Sequence, residues 1–570
     1  MTMKTMLRAL CAAVIIAMLA AGCTLALADS TLTLPADLQI IEAEAFYGIQ
    51  EAVKAELSEG VTHIESRAFA DSSIEEINFP DSIVAIANDA FEGAPLKKVI
   101  ANKGTVGYDW AEAHGIPVSD GITRLTWVIG GATPTDNQLV MDALNEITRS
   151  KLGVEVEILF MSSDEAMLSI VSGEPYDMYF SCGWFNDYDQ NVAKGVFLDI
   201  TDSLPAIAPS LYATMPESIW ELAKSDNGRL YGVPIKKDYA PMFFIAYDAN
   251  IADEAGISLP ESIDSLDELT DYLMALKAAM ELDPSLGDYP VVIEGSIYGL
   301  EGDFDYIAST PLIGVAFGGT QVHSLLDDEK VMDRYRVLHQ WYEKGLLKIE
   351  TEGDEGGNGK PHNIRFVQAW TGYDYSSSLG YRAKMVRYAG PVVNSDGVKG
   401  AMTAFSARLA NDPERLALCL KYQELVNTDQ QYRDILAYGI PGVHFNYSGA
   451  TVRRTQQGSN NYTPWQFAQG SYAVRTVEGA GNANQWTQYF AEADKAPTSR
   501  LGSFQFDDSQ FSAAYNAISE IKNQYMPGIQ NGSADTDAVI TEMLNKMNAA
   551  GLQSIIAEAQ RQLDNYLANK

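Results

Sequence analysis

Basic side chains are scarce in this chain: 40 Lys and Arg stand against 76 Asp and Glu in 570 residues, a formal net charge of −36. Residues 1–28 hold Lys4 and Arg8 and no acid, so the chain after Ala28 carries −38. That balance excludes nucleic acid as a partner, because binding phosphates takes clustered cations. It also weighs against a highly anionic ligand unless a local basic patch overrides it, and solubility of an exported protein is reason enough for it. Cysteine is equally sparse. Cys11 and Cys23 lie in the leading apolar segment, leaving Cys182 and Cys419, far apart and each inside an apolar run. No disulfide framework holds such a fold; two buried thiols are expected, with one bridge between them as the alternative. The six histidines are dispersed with no pair at i and i+4, which argues against a zinc hydrolase. Beyond residue 28 no stretch approaches 18 apolar residues, so no later membrane span is expected.

What the sequence does contain begins with a leader. Lys4 and Arg8 precede an apolar run from Ala9 to Ala21, so residues 1–28 read as an export signal. Two processing sites compete. Ala20-Ala21-Gly22-Cys23 is a lipobox with Cys23 as the lipid attachment site, and Ala26-Leu27-Ala28 before Asp29 is an ordinary cleavage site. The expected location is extracytoplasmic, either secreted or anchored to the outer face of the membrane as a lipoprotein. With 46% hydrophobic residues the remainder can bury more than one core.

A repeat follows the leader. Phe46, Phe69 and Phe91 are each preceded by Ala45, Ala68 and Ala90. Five residues before each anchor stands Ile41, Ile64 or Ile86; eight before, Leu38, Val61 or Ile83; twelve before, Leu34, Leu57 or Phe79. The period is 22 to 23 residues. One copy is too short to close a core, so the copies must stack as a solenoid, with short strands such as Ile74 to Phe79 lining one face. These columns, with Leu96 to Ile100 and the tail Tyr108 to Val118, resemble the leucine-rich repeats of bacterial surface proteins. The resemblance covers 31 to about 118 and implies a spacer or cap, or else a protein-binding surface.

From Ile122 the pattern changes. Arg124–Ile129 predicts a strand, Asn137–Lys151 a helix, Val154–Phe160 a strand, a second helix spans Asp164–Ser172, and a strand follows Asp177. This βαβαβ series implies a parallel sheet. It ends in Ser181-Cys182-Gly183-Trp184, where a buried strand hands an indole to a loop. Ligands of open α/β sheets collect at the carboxyl ends of the strands, and an aromatic placed there suits a sugar ring. At the other end, helices are expected over Gln510–Tyr525, broken by Pro527-Gly528, then Asp537–Ala550 and Gln553–Ala568. The aromatic, Gly- and Asn-rich stretch Tyr438–Trp486 gives no periodic signal. The domain expectation is thus 1–28 signal, 29–119 repeats and 120–570 a second domain.

Ser172-Gly173-Glu174-Pro175-Tyr176-Asp177, Gly195 to Thr201, Tyr231-Gly232-Val233-Pro234 and the stretch from Ala549 to Asp564 together resemble family 1 extracellular solute-binding proteins of ABC importers, in the lipoprotein subgroup with an extra C-terminal helical domain. The resemblance covers about 122–570. It implies an α/β fold of two lobes joined by a hinge, periplasmic-binding-protein-like, with Tyr239–Tyr247 as a crossing strand. Lobe one would be about 122–240 and 400–447, and lobe two the remainder, with the helices at 510–570.

By this resemblance the ligand-facing positions are Thr133, Thr135 and Asp136 after the first strand, Trp184, Asp187 and Tyr188 after the third, and Lys236 and Asp238 before the crossing strand. Trp370 and Tyr373 belong to lobe two, and Trp465 to an aromatic loop. Asp136 reads equally as a helix cap. A pairing of Trp184 with Trp370 across the cleft is the central expectation, whereas Asp177 is a weak candidate. Trp127, Trp220 and Trp341 sit in periodic segments and belong to cores.

The implied function is capture of an oligosaccharide, or another small solute, and its delivery to the permease subunits, with no cofactor and no metal. Enzymatic activity is not expected. No spacing singles out a carboxylate pair, and Gly356 to Lys360 lacks the first Gly and the final Ser or Thr of a phosphate loop. The alternative is a surface adhesin whose repeats bind a cell-surface partner.

Overall fold

The computed structural model describes residues 31–34, 36–294, 297, 299–350, 362–479 and 482–569. The leader, Cys23 and the Gly356–Lys360 turn lie outside the described residues. The chain divides after Arg124 into two compact units.

The first unit is the solenoid. Short strands Thr31–Thr33, Lys54–Glu56, Glu76–Asn78, Lys98–Ile100 and Val118–Ser119 form one parallel sheet, and Ile40–Ile41, His63–Ile64 and Ala85–Ile86 form another. Register advances by one repeat, Lys54 opposite Glu76 and Glu76 opposite Lys98. The anchor phenylalanines stack in a ladder, with ring centroids 5.1 Å apart for Phe46 and Phe69 and 5.0 Å for Phe69 and Phe91. Backbone bonds tie each turn to the previous one beside the rings, Phe46 N–H donating to Ala68 O and Phe69 N–H to Ala90 O, each at 2.8 Å, and the side chains of Ala68 and Ala90 are fully buried. The helix Val106–Ala113 ends the stack by laying Trp110 against Phe91 and Phe79.

The second unit has two cores. The larger surrounds a mixed sheet in the order Val154–Met161, Thr123–Gly130, Met178–Ser181, Met402–Phe405, Gly232–Pro234. Met178 pairs parallel with Trp127, as the βαβ reading requires. Met402–Phe405, from outside that series, runs antiparallel between its neighbours and makes the sheet mixed. It comes from a later part of the chain and runs in the opposite direction to the strands of the βαβαβ series. The helices Asn137–Leu152 and Ser163–Ser172 flank this sheet; the second opens on a capping box of Ser162 and Glu165, and both end on left-handed glycines, Gly153 and Gly173.

The second core holds the helices Thr270–Leu282 and Glu329–Glu343, the strand pair Val291–Glu294 with Leu347–Glu350, and the C-terminal helices. A three-stranded sheet joins the lobes, with Met242–Asp248 between Arg365–Ala369 and Ala383–Ala389. Its alternation is two-sided. Met242 and Phe244 pack in the first core, whereas Phe243, Ile245 and Tyr247 pack in the second.

Two boundaries differ from expectation. The return through the first lobe runs past Tyr447: Tyr462, Val477, Trp486, Tyr489, Phe490 and Ala493 all pack in its core. Trp486, Tyr489, Phe490 and Ala493 line one face of the helix Gln485–Ala493, while Tyr462 and Val477 reach the core from the irregular stretch before it. The helix Ser512–Gln530 continues through Pro527, because Met526 and Ile529 bury in the second core and hold the last turn. The other two C-terminal helices, Thr536–Ala549 and Leu552–Ala568, end and begin around Gly551, whose φ is +108°. Trp127, Trp220 and Trp341 are fully buried.

The ring ladder generates a prediction. Phe69 has neighbours on both faces and no exposure, so Phe69→Ala should destabilise the repeats by about 3–5 kcal/mol. In calorimetry the transition of the repeats should move down while that of residues 125–570 stays in place.

Candidate functional site

The first and third strands of the larger sheet, Thr123–Gly130 and Met178–Ser181, run parallel and end side by side. The chain after Ser181 folds back at once: Cys182 N–H donates to Phe185 O at 3.1 Å, and Phe185 N–H to Cys182 O at 3.3 Å. Asn186 and Asp187 take left-handed backbone, φ +48° and +53°. Asn186 is held by Nδ2 donating to Phe180 O at 3.0 Å, by its N–H on Ser163 Oγ at 3.0 Å, and by Ser181 Oγ on its Oδ1. This fastened turn leaves Trp184 at its tip, 59% exposed.

The indole does not stand alone. Trp465 lies 5.8 Å from Trp184 and Phe467 6.1 Å, with Phe180 and Phe185 beneath. The first strand ends in Gly130-Gly131 so that Trp465 can lie on its backbone. A Cβ on Gly130 would fall 2.3 Å from the Trp465 ring, and Gly131 sits at φ +115° with the same ring 3.4 Å away. The loop bearing Trp465 and Phe467 is clamped by the fully buried Arg433, which donates to Gln466 O at 2.9 Å, Gly470 O at 3.1 Å and Gln469 Oε1 at 3.1 Å.

A second aromatic group forms around Trp370. It follows the strand Arg365–Ala369 of the joining sheet and packs 4.6 Å from Trp486 and 4.7 Å from Tyr373. Tyr472 closes on Trp486 at 4.6 Å. The ring contacts of Trp184 are thus with Trp465, Phe467, Phe180 and Phe185, and Trp370 belongs to a separate group. Both groups depend on the 465–475 stretch, since Gln466 between Trp465 and Phe467 accepts from Arg475, which lies 3.8 Å over Tyr472.

Several expected contacts have structural work instead. Tyr188 is 1% exposed and stacks on Phe197 in the core, where burial raises its pKa; the short helix after the Trp184 turn rolls it inward. Asp187 caps that helix, accepting from Gln190 N–H at 3.2 Å. Lys236 is 7% exposed because its ammonium donates to Thr214 O at 2.8 Å and Asp494 Oδ2 at 3.0 Å. Asp238 pairs with Lys237 at 2.8 Å. Asp177 has no exposure and accepts from Thr126 and from Arg408 and Arg415, so it pins the start of its strand. Thr133 and Thr135 are exposed on the loop after the first strand.

Asp136 is neither a side-chain cap nor a free carboxylate. Its Oδ2 receives Gln457 Nε2 at 2.8 Å, His444 Nε2 at 3.0 Å and Asn461 Nδ2 at 3.1 Å. Ile440 N–H donates to His444 Nδ1, which leaves the ring proton on Nε2 for Asp136. The three donors, Gln457 first, hold the Asp136 pKa down at about 2.

Phe180, Phe185, Phe467, Tyr472, Arg475 and Trp486 were missed from sequence. The signal that pointed to some of them was Gly130-Gly131 at a strand end, a pair that marks close approach to the backbone. Among the described residues no group of three or more His, Cys, Asp or Glu is placed to hold a metal.

Comparison with known proteins gives the fold. A solved N-glycan transport solute binding protein from Streptococcus pneumoniae matches with a TM-score of 0.64 at 19% identity, over 78% of this chain and 99% of its own. Residues 125–570 have the fold of the solute-binding proteins. The same pneumococcal protein in complex with Man5GlcNAc matches with a TM-score of 0.53 at 20% identity, over 79% of this chain and 99% of its own. In sequence the chain is homologous to a carbohydrate ABC transporter substrate-binding protein of Streptococcus pneumoniae serotype 4, 22% identical over 460 residues, which is 78% of this chain and 90% of that protein. Residues 27–107 match the family described as a BspA type leucine rich repeat region (6 copies), and residues 500–568 match a domain of unknown function, DUF3502.

The Asp136 network has a testable pH signature. A carboxylate whose folded value lies below its unfolded value, about 3.9, contributes fully above that range, and the contribution disappears as pH falls through about 2. Asp136→Asn should therefore lower the melting temperature at pH 6, and its difference from the parent should shrink as the pH is taken from 4 toward 2.

Proposed function

We propose that residues 125–570 capture an oligosaccharide between two lobes and deliver it to the permease of an ABC importer. The chain acts by binding and not by catalysis. It works outside the cytoplasm, exported by its leader and either secreted or held at the membrane surface through a lipid on Cys23. The observation that carries this reading is the exposed indole of Trp184, backed by Trp465 and Phe467 at the carboxyl ends of two parallel strands. A flat apolar ring face is what a pyranose stacks on, and the rings beneath back the indole. The homologous pneumococcal protein is a carbohydrate ABC transporter component, and its structural counterpart binds Man5GlcNAc, so high-mannose glycans are the natural first probes.

The eleven ligand-facing positions expected from sequence narrow in this reading to Trp184, Trp465, Trp370, Tyr373, Thr133 and Thr135. In this reading the repeats act as a spacer, with adhesion as the second reading. Separate production of residues 29–119 and 120–570 distinguishes them: solute binding belongs to the second piece, and binding of a surface protein by the first alone favours the adhesin.

A glycan that binds only the closed form should raise the melting temperature, by about 2.7 kcal/mol of added stability at a hundredfold excess over Kd. Trp184→Ala, by weakening binding about tenfold, should cut that added stability to about 1.4 kcal/mol at the same glycan concentration, with the ligand-free melting temperature unchanged because the ring is exposed. Shifts with peptides and none with any glycan would reject the substrate class.

A further inference from the structure

Arg433 and Arg475 stand out in an acidic chain, since neither meets a carboxylate within hydrogen-bonding distance among the described residues. Arg433 spends its donors on Gln469 Oε1 and on the carbonyls of Gln466 and Gly470. Arg475 donates to Gln466 Oε1 and lies 3.8 Å over the Tyr472 ring and 5.9 Å from the Trp486 ring. The nearby carboxylates are already engaged. Asp434 accepts from Thr476 N–H at 2.7 Å, Thr476 Oγ1 at 2.6 Å and Tyr447 Oη at 3.0 Å, and Glu478 accepts from Arg454 at 2.9 Å.

The polar atoms left over here share one character. Arg433 Nε, Arg475 Nε, Gln469 Nε2 and the indole nitrogens of Trp370 and Trp486 are all buried without a partner, and all are N–H donors. A neutral sugar hydroxyl brings a donor with each acceptor. A carboxylate brings acceptors only, and a guanidinium takes it two-pronged. The aromatic faces of Tyr472 and Trp370 beside the cation suit the sugar ring that would carry such a group. The net charge of the chain does not oppose this. Charges beyond about 8 Å are screened at physiological salt, and at shorter range the Arg475 guanidinium, which has no carboxylate partner among the described residues, dominates.

We propose that Arg475 receives the carboxylate of an acidic saccharide, a uronic or sialic acid unit, so that the transported solute is anionic. This rests on the carbohydrate reading above and names its substrate class.

The test uses calorimetry on the intact protein with two matched pairs: trigalacturonic acid and its carboxyl-reduced form, and sialyllactose and its carboxyl-reduced form. The acid of at least one pair should bind about tenfold tighter than its reduced partner. The advantage should shrink as salt rises from about 0.05 to about 0.5 M and vanish in Arg475→Gln. Equal binding of acid and reduced forms overturns the proposal without recourse to any variant. So does tight binding of neutral glycans that Arg475→Gln leaves unchanged, and in both cases the carbohydrate reading stands. Absence of binding by every glycan, acidic or neutral, overturns that underlying reading as well.

Discussion

The contact on which the candidate site depends is the Trp465 indole lying on the backbone of Gly130 and Gly131. It fixes a loop distant in sequence to the end of a central strand, and it does so without a hydrogen bond, by removing the Cβ atoms that would hold the ring off. With Trp465 seated, Trp184 has a wall to stand against and Phe467 a place beside it. The polar network complements this packing. Asp136 ties the same glycine loop to His444, Gln457 and Asn461, and Arg433 clamps the turn that carries the aromatics. Apolar contact sets the position and charge-assisted hydrogen bonds set the path of the chain into it.

The joining sheet explains how two lobes behave as partners. Because Met242–Asp248 alternates its side chains between two cores, the connection is itself a packed layer. The strand ends near Tyr239–Met242 and Ala389–Val393 are the segments that leave this layer. Lys236 and Asp494, joined across 258 residues of chain, secure the first-lobe side of that region. The side chains expected to grip a solute there serve the scaffold instead.

Much of the fold was legible in the sequence because it obeys simple periods. The alanine-phenylalanine columns of the repeats, the alternation Val154, Val156, Ile158 and the helix ending at Gly153 each appear where pattern places them. The illegible part was Tyr438–Trp486, whose aromatics bury by shape complementarity with partners far away in sequence. Of the site, Trp184 is exposed at a strand end, as strand-end reasoning put it, whereas Trp465, expected with lobe two, packs against the first core. Tyr188 and Asp187 were misread because both follow an exposed tryptophan, yet the left-handed turn at Asn186 and Asp187 sends the next side chain inward. Asp136 showed that a cap position identifies where a carboxylate sits and not what it binds.

The repeats carry a consequence of their own. Each turn contacts the previous one through the same atoms, ring on ring and N–H to carbonyl, in a register of 22 residues. Such a stack has no preferred length. Gain or loss of one turn changes the solenoid by about 4.8 Å and leaves every remaining contact intact, so the extent of this unit is open to adjustment in whole links, as a chain is shortened or let out, without any redesign of its interior.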